Sequence, residues 1–248
     1  MRFSVAIALL AVLGACSQRT NDPKKLRCDA VQGATVLHEG ATFDVVCAPT
    51  RKANIRVHSG SPSQTIGELR SQLERAGGKP FAITNAGIFE PDFRPTGLLI
   101  SGGRESSKLN PGKGSGNFFM QPNGVFFLDL GAGILETSEY ARLAPNPVRH
   151  ATQSGPLLVQ AGKLHPELSK ASEHKALRSG VGVSAGRVFF AVSRDEVTFW
   201  SLATLFRDGL DCPDALYLDG AISELWAPSL GRTETSKSFS GLISVEAK

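Results

Sequence analysis

The sequence predicts a mixed α/β domain: one largely antiparallel sheet system with a few helices packed on it. Three observations point there. The apolar runs are short and bounded by Gly, Pro, Asn or Asp, as strands are, and only a few stretches shift to helical spacing. No internal repeat and no linker interrupts the chain after Lys25. With 248 residues, 41% apolar and 20% charged, the chain can bury a sizeable core as one domain.

The first residues read as a separate segment. Met1 and Arg2 precede an almost unbroken apolar run from Phe3 to Leu13, too short for a bilayer, which needs roughly 20 apolar residues. The run ends in Leu13-Gly14-Ala15-Cys16, the pattern of a bacterial lipobox. Residues 1–15 are therefore expected to be a signal peptide, Cys16 the lipidated residue, and 16–27 a polar tether. The globular domain is expected over 28–248 of an exported protein held on the cell membrane or outer membrane, facing the periplasm or exterior.

Within that domain, residues 34–48 alternate loosely around Glu39-Gly40 and predict two antiparallel strands, which Ile55 and Val57 extend. Ser63 is placed to cap a helix carrying Ile66, Leu69 and Leu73 on one face, and Gly77-Gly78 ends it. Phe81 to Thr84 predicts a buried strand running into Asn85, and Leu98 to Ser101 another. Residues 102–116 lack an apolar period and read as a long loop. Strands are expected at 118–120 and 125–128 about Pro122-Asn123-Gly124, a short helix from Glu136 to Leu143, and strands at 156–160 and 181–192, the latter folded at Ala185-Gly186. Thr198 to Leu210 returns to helical spacing. Ala215 to Leu218 predicts a strand ending at Asp219, and Gly241 to Val245 closes the fold.

Composition excludes several classes of function. The formal charge is +4, or +3 without the leader, and Lys and Arg are scattered, so no nucleic-acid footprint is expected. Mild attraction to anionic substrates is compatible with that charge. The five histidines form no zinc-ligand pair on one helical face, no paired-cysteine knuckle exists, and no Gly-x-Ser-x-Gly elbow seats a nucleophilic serine. Gly112-Lys113-Gly114-Ser115 has the wrong spacing for a phosphate-binding loop. No metal site and no cofactor is expected, although a divalent cation could sit beside Asp219 and a phosphate. Export places Cys28, Cys47 and Cys212 in an oxidising compartment. Cys28 and Cys47 flank the first hairpin and are the natural disulfide, leaving Cys212 as a buried thiol.

Four segments place polar residues and glycines at strand ends, where sheets commonly bind ligands: Asn85-Ala86-Gly87-Ile88-Phe89, Gln153-Ser154-Gly155-Pro156, Arg178-Ser179-Gly180-Val181-Gly182 and Leu218-Asp219-Gly220-Ala221-Ile222-Ser223. Singly each is weak, because Asn-x-Gly and Asp-Gly also form plain turns. Together and in this order they resemble the phosphodiester glycosidase family. The resemblance runs from about Cys28 to the C-terminus and is closest in 85–89, 116–126, 153–159 and 215–223. Where the family often has two or three glycines after the aspartate, Ala221 and Ile222 stand here, which leaves the sugar and the aglycone open.

The resemblance implies cleavage between a sugar's anomeric carbon and a phosphodiester oxygen. Ordinary glycosidases need two carboxyl groups. A phosphate monoester leaves far more easily than an alkoxide, so a cation can replace the acid. Arg178 suits that role, Asp219 is the candidate base or stabiliser of positive charge on the sugar, and Asn85 the holder of a hydroxyl or phosphate oxygen. Gly87, Phe89, Gln153, Ser154, Gly155, Gly182, Gly220 and Ser223 are the candidate substrate-binding residues, with Asp92 and Glu224 as reserve carboxylates. The expected partners are a carbohydrate phosphodiester or envelope glycan and, through the anchor, a membrane; no protein partner is inferred. The alternative is a non-catalytic envelope lipoprotein that binds a phosphoglycan or cell-wall fragment.

Overall fold

The computed structural model describes residues 18–19, 22–143, 148–220 and 222–248; the predicted signal peptide and Cys16 lie outside the described residues. In chain order the elements are β1 (Gln18–Arg19), β2 (Gln32–His38), β3 (Ala41–Pro49), β4 (Ala53–Thr65), α1 (Ile66–Arg75), β5 (Pro80–Asn85), β6 (Leu99–Ser101) and β7 (Arg104–Ser107). Next come β8 (Gly124–Leu128), β9 (Ala132–Glu136), α2 (Thr137–Leu143), β10 (His150–Ser154), β11 (Leu157–Gln160), β12 (Lys163–Leu164), β13 (Ser179–Ser184) and β14 (Arg187–Ser193). The last are α3 (Phe199–Thr204), β15 (Asp214–Asp219), β16 (Leu225–Trp226) and β17 (Ser238–Ala247).

The strands build three sheets: eight strands in the order β1-β2-β3-β14-β13-β15-β11-β12, four in the order β16-β5-β17-β4, and five in the order β7-β6-β10-β8-β9. Among the described residues all strand pairings are antiparallel except the short β1–β2 contact. One face of each sheet meets a shared core that includes Val46, Val57, Ala86, Leu99, Phe126, Phe190, Leu216 and Ile243. The outer faces are covered separately. Phe206, Leu202 and Tyr217 fill the space under α3, Ile66, Leu69 and Trp226 that under α1, and Tyr140 and Val125 that under α2. The fold is mixed, as expected, but the sheets dominate it and the three helices are short.

Burial on both faces explains the unbroken apolar run Val45–Ala48 that follows Phe43 and Asp44. Val46 and Ala48 face the shared core while Phe43, Val45 and Cys47 face the α3 side. Cys47 is bonded to Cys28, with Cα atoms 5.9 Å apart, and Cys212 is free and buried. Burial pushes the Cys212 thiol far up from its ordinary range, so it is an inert apolar filler.

The structure departs from the sequence reading in four places. Ser63 does not cap α1: β4 stays paired to β17 through Thr65, and Thr65 takes the cap with Glu68 in a reciprocal capping box. Residues 117–119 form a 3-10 turn rather than a strand, closed by Phe119 N–H donating to Gly116 O. The loop after Gly102 contains β7, whose exposed residues carry no apolar period. β10, with the sequence His-Ala-Thr-Gln-Ser, is the centre of the five-stranded sheet, yet it is polar and left no apolar signature.

Candidate active site

The eight-stranded and four-stranded sheets meet at the ends of β5, β13 and β15 that carry Asn85, Ser179 and Asp219. Register places Ser179 opposite Asp219, and Asn85 at the end of β5 crosses between the sheets. Asn85 Nδ2 donates to Ser179 Oγ at 2.9 Å and to Ala86 O at 3.1 Å, while its Oδ1 accepts from Glu224 N at 3.2 Å. Ser179 Oγ also accepts from Asp219 N at 3.2 Å and donates to Asp219 O at 3.0 Å. Ser223 Oγ donates to the same carbonyl at 2.6 Å. Both lone pairs and the proton of Ser179 are thereby engaged, so the cluster is rigid as built. Asn85, Ser179, Asp219 and Ser223 are all buried. One Asp219 carboxylate oxygen accepts from Gly220 N at 2.5 Å, which orients the carboxylate at the strand end.

Arg178 immediately precedes this cluster and is only 5% exposed. Its backbone N–H donates to Ser193 Oγ at 2.9 Å. Its guanidinium is held by Val197 O at 2.8 Å and His174 O at 3.1 Å, and lies 3.7 Å over the Phe199 ring. Burial lowers the Arg178 pKa from its usual value, but a guanidinium starts so high that it stays charged. Tyr217 bonds to both Arg178 and the Asn117 side chain and feels the Asp219 charge; burial pushes its phenol well up, so it stays protonated. Arg178 and Asp219 therefore flank one buried phenol. Two of the guanidinium N–H groups satisfy backbone carbonyls, and the guanidinium also bonds the Tyr217 hydroxyl.

The other sequence candidates separate into frame and surface. Gly87, Gly155 and Gly220 pack closely: a Cβ on Gly87 would strike Gln153 O, one on Gly155 would strike Phe118 O, and one on Gly220 the Tyr217 hydroxyl. The Gln153 side chain is consumed by Leu98 N, Asn110 N, Asn110 O and Thr137 Oγ1, at 2.8 to 3.1 Å. Ser154 Oγ donates to Leu218 O at 2.9 Å. These two side chains brace the site and are not free to hold substrate. Gly182 lies mid-strand opposite Ala215, where its bareness makes room for Phe206 and Cys212, away from the Asp219 end. Phe89 follows Asn85 into a turn and stacks on Phe93. Asp92 is paired with Arg94 at 2.5 Å on the surface, and Glu224 Oε1 anchors Ser236 N at 3.0 Å. Neither reserve carboxylate enters the cluster.

Sequence reasoning missed Tyr217 and Asn117. Tyr217 was within reach as a near neighbour of Asp219 in the sequence, although the bulge in β15 between them breaks the two-residue alternation. Asn117 was not, because only the fold brings its loop there. Among the described residues, no group of three or more His, Cys, Asp or Glu side chains could hold a metal ion. Surface clefts of 350 and 400 Å³ lie elsewhere; the second borders Val197, whose carbonyl holds Arg178. Convergent hydrogen bonding rather than cleft size makes the Asn85–Asp219 centre the candidate site.

Known proteins share parts of this sequence and of its fold. An uncharacterised Escherichia coli K12 protein, YigE, is 30% identical over 192 residues, covering 77% of this chain and 74% of its own. The catalytic domain of zebrafish N-acetylglucosamine-1-phosphodiester alpha-N-acetylglucosaminidase, solved as auto-inhibited by its pro-peptide, shares the fold at a TM-score of 0.61 and 12% identity, over 93% of this chain and 87% of that one. A hypothetical protein from Synechocystis matches at a TM-score of 0.52 and 14% identity, over 90% of this chain and 65% of its own. The family model described as phosphodiester glycosidase matches residues 78–239, a span that contains Asn85, Arg178, Asp219 and Ser223. The chain belongs to the phosphodiester glycosidase family.

Proposed function

We propose that this protein hydrolyses a glycosyl-phosphate bond of a sugar phosphodiester in the bacterial envelope. The observation that carries the reading is the buried Asn85–Ser179–Asp219–Ser223 cluster with the Arg178 cation one residue away, inside the family-matched span. Water attacks the anomeric carbon as the bond to the phosphate oxygen breaks, and the phosphate monoester leaves as an anion. Arg178 neutralises that charge in a water-poor setting where it counts for more than in solvent. Asp219 takes the proton of the attacking water, or stabilises positive charge on the sugar as the bond lengthens. Asn85 and Ser179 hold the Asp219 backbone so that its carboxylate does not drift.

Attachment by a lipid on Cys16 would place this chemistry at a membrane surface, beside envelope glycans. The test uses the soluble domain from residue 17 onward with a panel of sugar phosphodiesters. Free reducing sugar and phosphate monoester should appear in equal amounts. A folded protein that releases neither from any member would leave the envelope-glycan binder as the reading.

A further inference from the structure

Between Asn85 and β6 the chain makes a tight hairpin. Glu90 N donates to Arg94 O at 2.8 Å, Phe93 N donates to Glu90 O at 2.8 Å, and Phe89 pairs with Pro95. The turn is therefore Glu90-Pro91-Asp92-Phe93, with Pro and Asp at the positions a type I turn prefers. The residue after such a pair adopts the left-handed conformation, and the preferred sequence there is Pro-Asp-Gly. Phe93 has φ 63°, so a bulky aromatic side chain stands where stereochemistry favours glycine.

The core does not account for that choice. Phe93 is only partly buried, and belongs to none of the buried clusters. Its ring stacks on Phe89, centroids 5.5 Å apart and planes within 20°, and Phe89 in turn meets the buried Phe239 edge-on at 6.3 Å. The three rings step outward from the interior, with Phe93 last. Phe89 and Ile222 pack onto the same cluster, and Ile222 belongs to the loop that carries Ser223. Leu242, the β17 partner of Asn85, is a member of that cluster. The stacked rings thus flank the Asn85 centre on the four-stranded-sheet side. Arg178, with Phe199 and Tyr217, flanks it on the eight-stranded-sheet side.

We propose that Phe93, stacked on Phe89, is the platform on which the substrate's pyranose ring lies, while its phosphate turns toward Arg178. This rests on the reading of the centre as a glycosyl-phosphate site. A pyranose presents a patch of C–H groups polarised by the neighbouring oxygens, and the face of an aromatic ring is electron-rich, so the two attract. A phosphate would be repelled by the same face. Backbone strain of this kind clusters at ligand clamps and active sites, which supports a ligand-facing role for the ring at position 93.

Phe93→Gly is the decisive variant, because glycine suits φ 63° and the turn keeps its hydrogen bonds. Its thermal midpoint should equal or exceed the wild type's. The apparent affinity for a hexopyranose 1-(methyl phosphate), read as KM and independently as Kd by calorimetry, should weaken about tenfold or more, while inhibition by dimethyl phosphate, which has no sugar, stays unchanged. Phe93→Tyr should restore sugar affinity. A lowered midpoint with unchanged affinity would assign the ring to packing and overturn the proposal. Cleavage by the wild type with unchanged KM in Phe93→Gly overturns the platform but leaves the hydrolytic reading standing. Binding without cleavage, weakened in Phe93→Gly, does the reverse. A wild type that neither binds nor cleaves the probe overturns both.

Discussion

Asp219 and Arg178 are expected to act at different moments of one reaction. The phosphate is charged before and during bond breaking, so Arg178→Lys should weaken binding as well as rate: the charge stays, but the hold of Val197 O and His174 O and the stacking on Phe199 are lost. Asp219 matters as charge builds at the sugar or as water loses its proton. Asp219→Asn should lower turnover by a factor on the order of 100 or more with little change in apparent affinity. Kinetics of both variants on one cleavable phosphodiester check this, and near-normal turnover of a folded Asp219→Asn would remove the residue from the mechanism. The sequence already singled out both residues, because Asp-Gly and Arg-Ser-Gly at strand ends are visible locally. It did not show that Gln153 and Ser154 are braces: whether an amide is free depends on Leu98, Asn110 and Thr137, which only folding brings to it.

Two elements give their own tests. The capping box of α1 joins Glu68 N to Thr65 Oγ1 at 3.1 Å and Thr65 N to Glu68 Oε2 at 2.8 Å. Thr65→Ala should cost about 1 kcal/mol, lowering the thermal midpoint by roughly 2–4 °C. Ser63→Ala should be neutral by the same calorimetry, since β4 and not the helix holds that residue. On β4, His58 Nε2 meets Ser244 Oγ of β17 at 2.8 Å, and burial, with help from His150 and Arg56, lowers its pKa to about 4. The unfolded chain then binds this proton first. Its contribution to stability is intact above the ordinary value of 6.5 and falls as pH drops from there to about 4. His58→Gln, which retains a polar partner for Ser244 without titrating, should flatten the loss of stability between those two pH values in denaturant titrations. A slope equal to the wild type's would exonerate His58.

At the scale of the whole molecule, the anchor is tested by Cys16→Ser. That variant should move the protein from the detergent phase to the aqueous phase on phase partitioning, and unchanged partitioning would defeat the lipoprotein reading. The apolar run behind Cys16 suggested that address, because a signal segment is read as linear sequence. Most strands were legible for a related reason. Runs such as Val45–Ala48 and Ala215–Leu218 carry their burial in their own composition, and Pro, Gly and Asn mark strand ends. The Asn85 and Asp219 blocks were likewise visible as polar residues next to glycine at strand ends. What only the tertiary structure decided is whatever depends on partners distant in sequence. β10 is a central strand because its neighbours β6 and β8 supply its hydrogen bonds, not because His-Ala-Thr-Gln-Ser favours one. The buried polar cluster exists because Asn85, 94 residues before Ser179, closes a hydrogen bond between two sheets. Local pattern sets which segments are buried, whereas register and sheet packing set which buried polar groups meet, and no local period encodes that meeting.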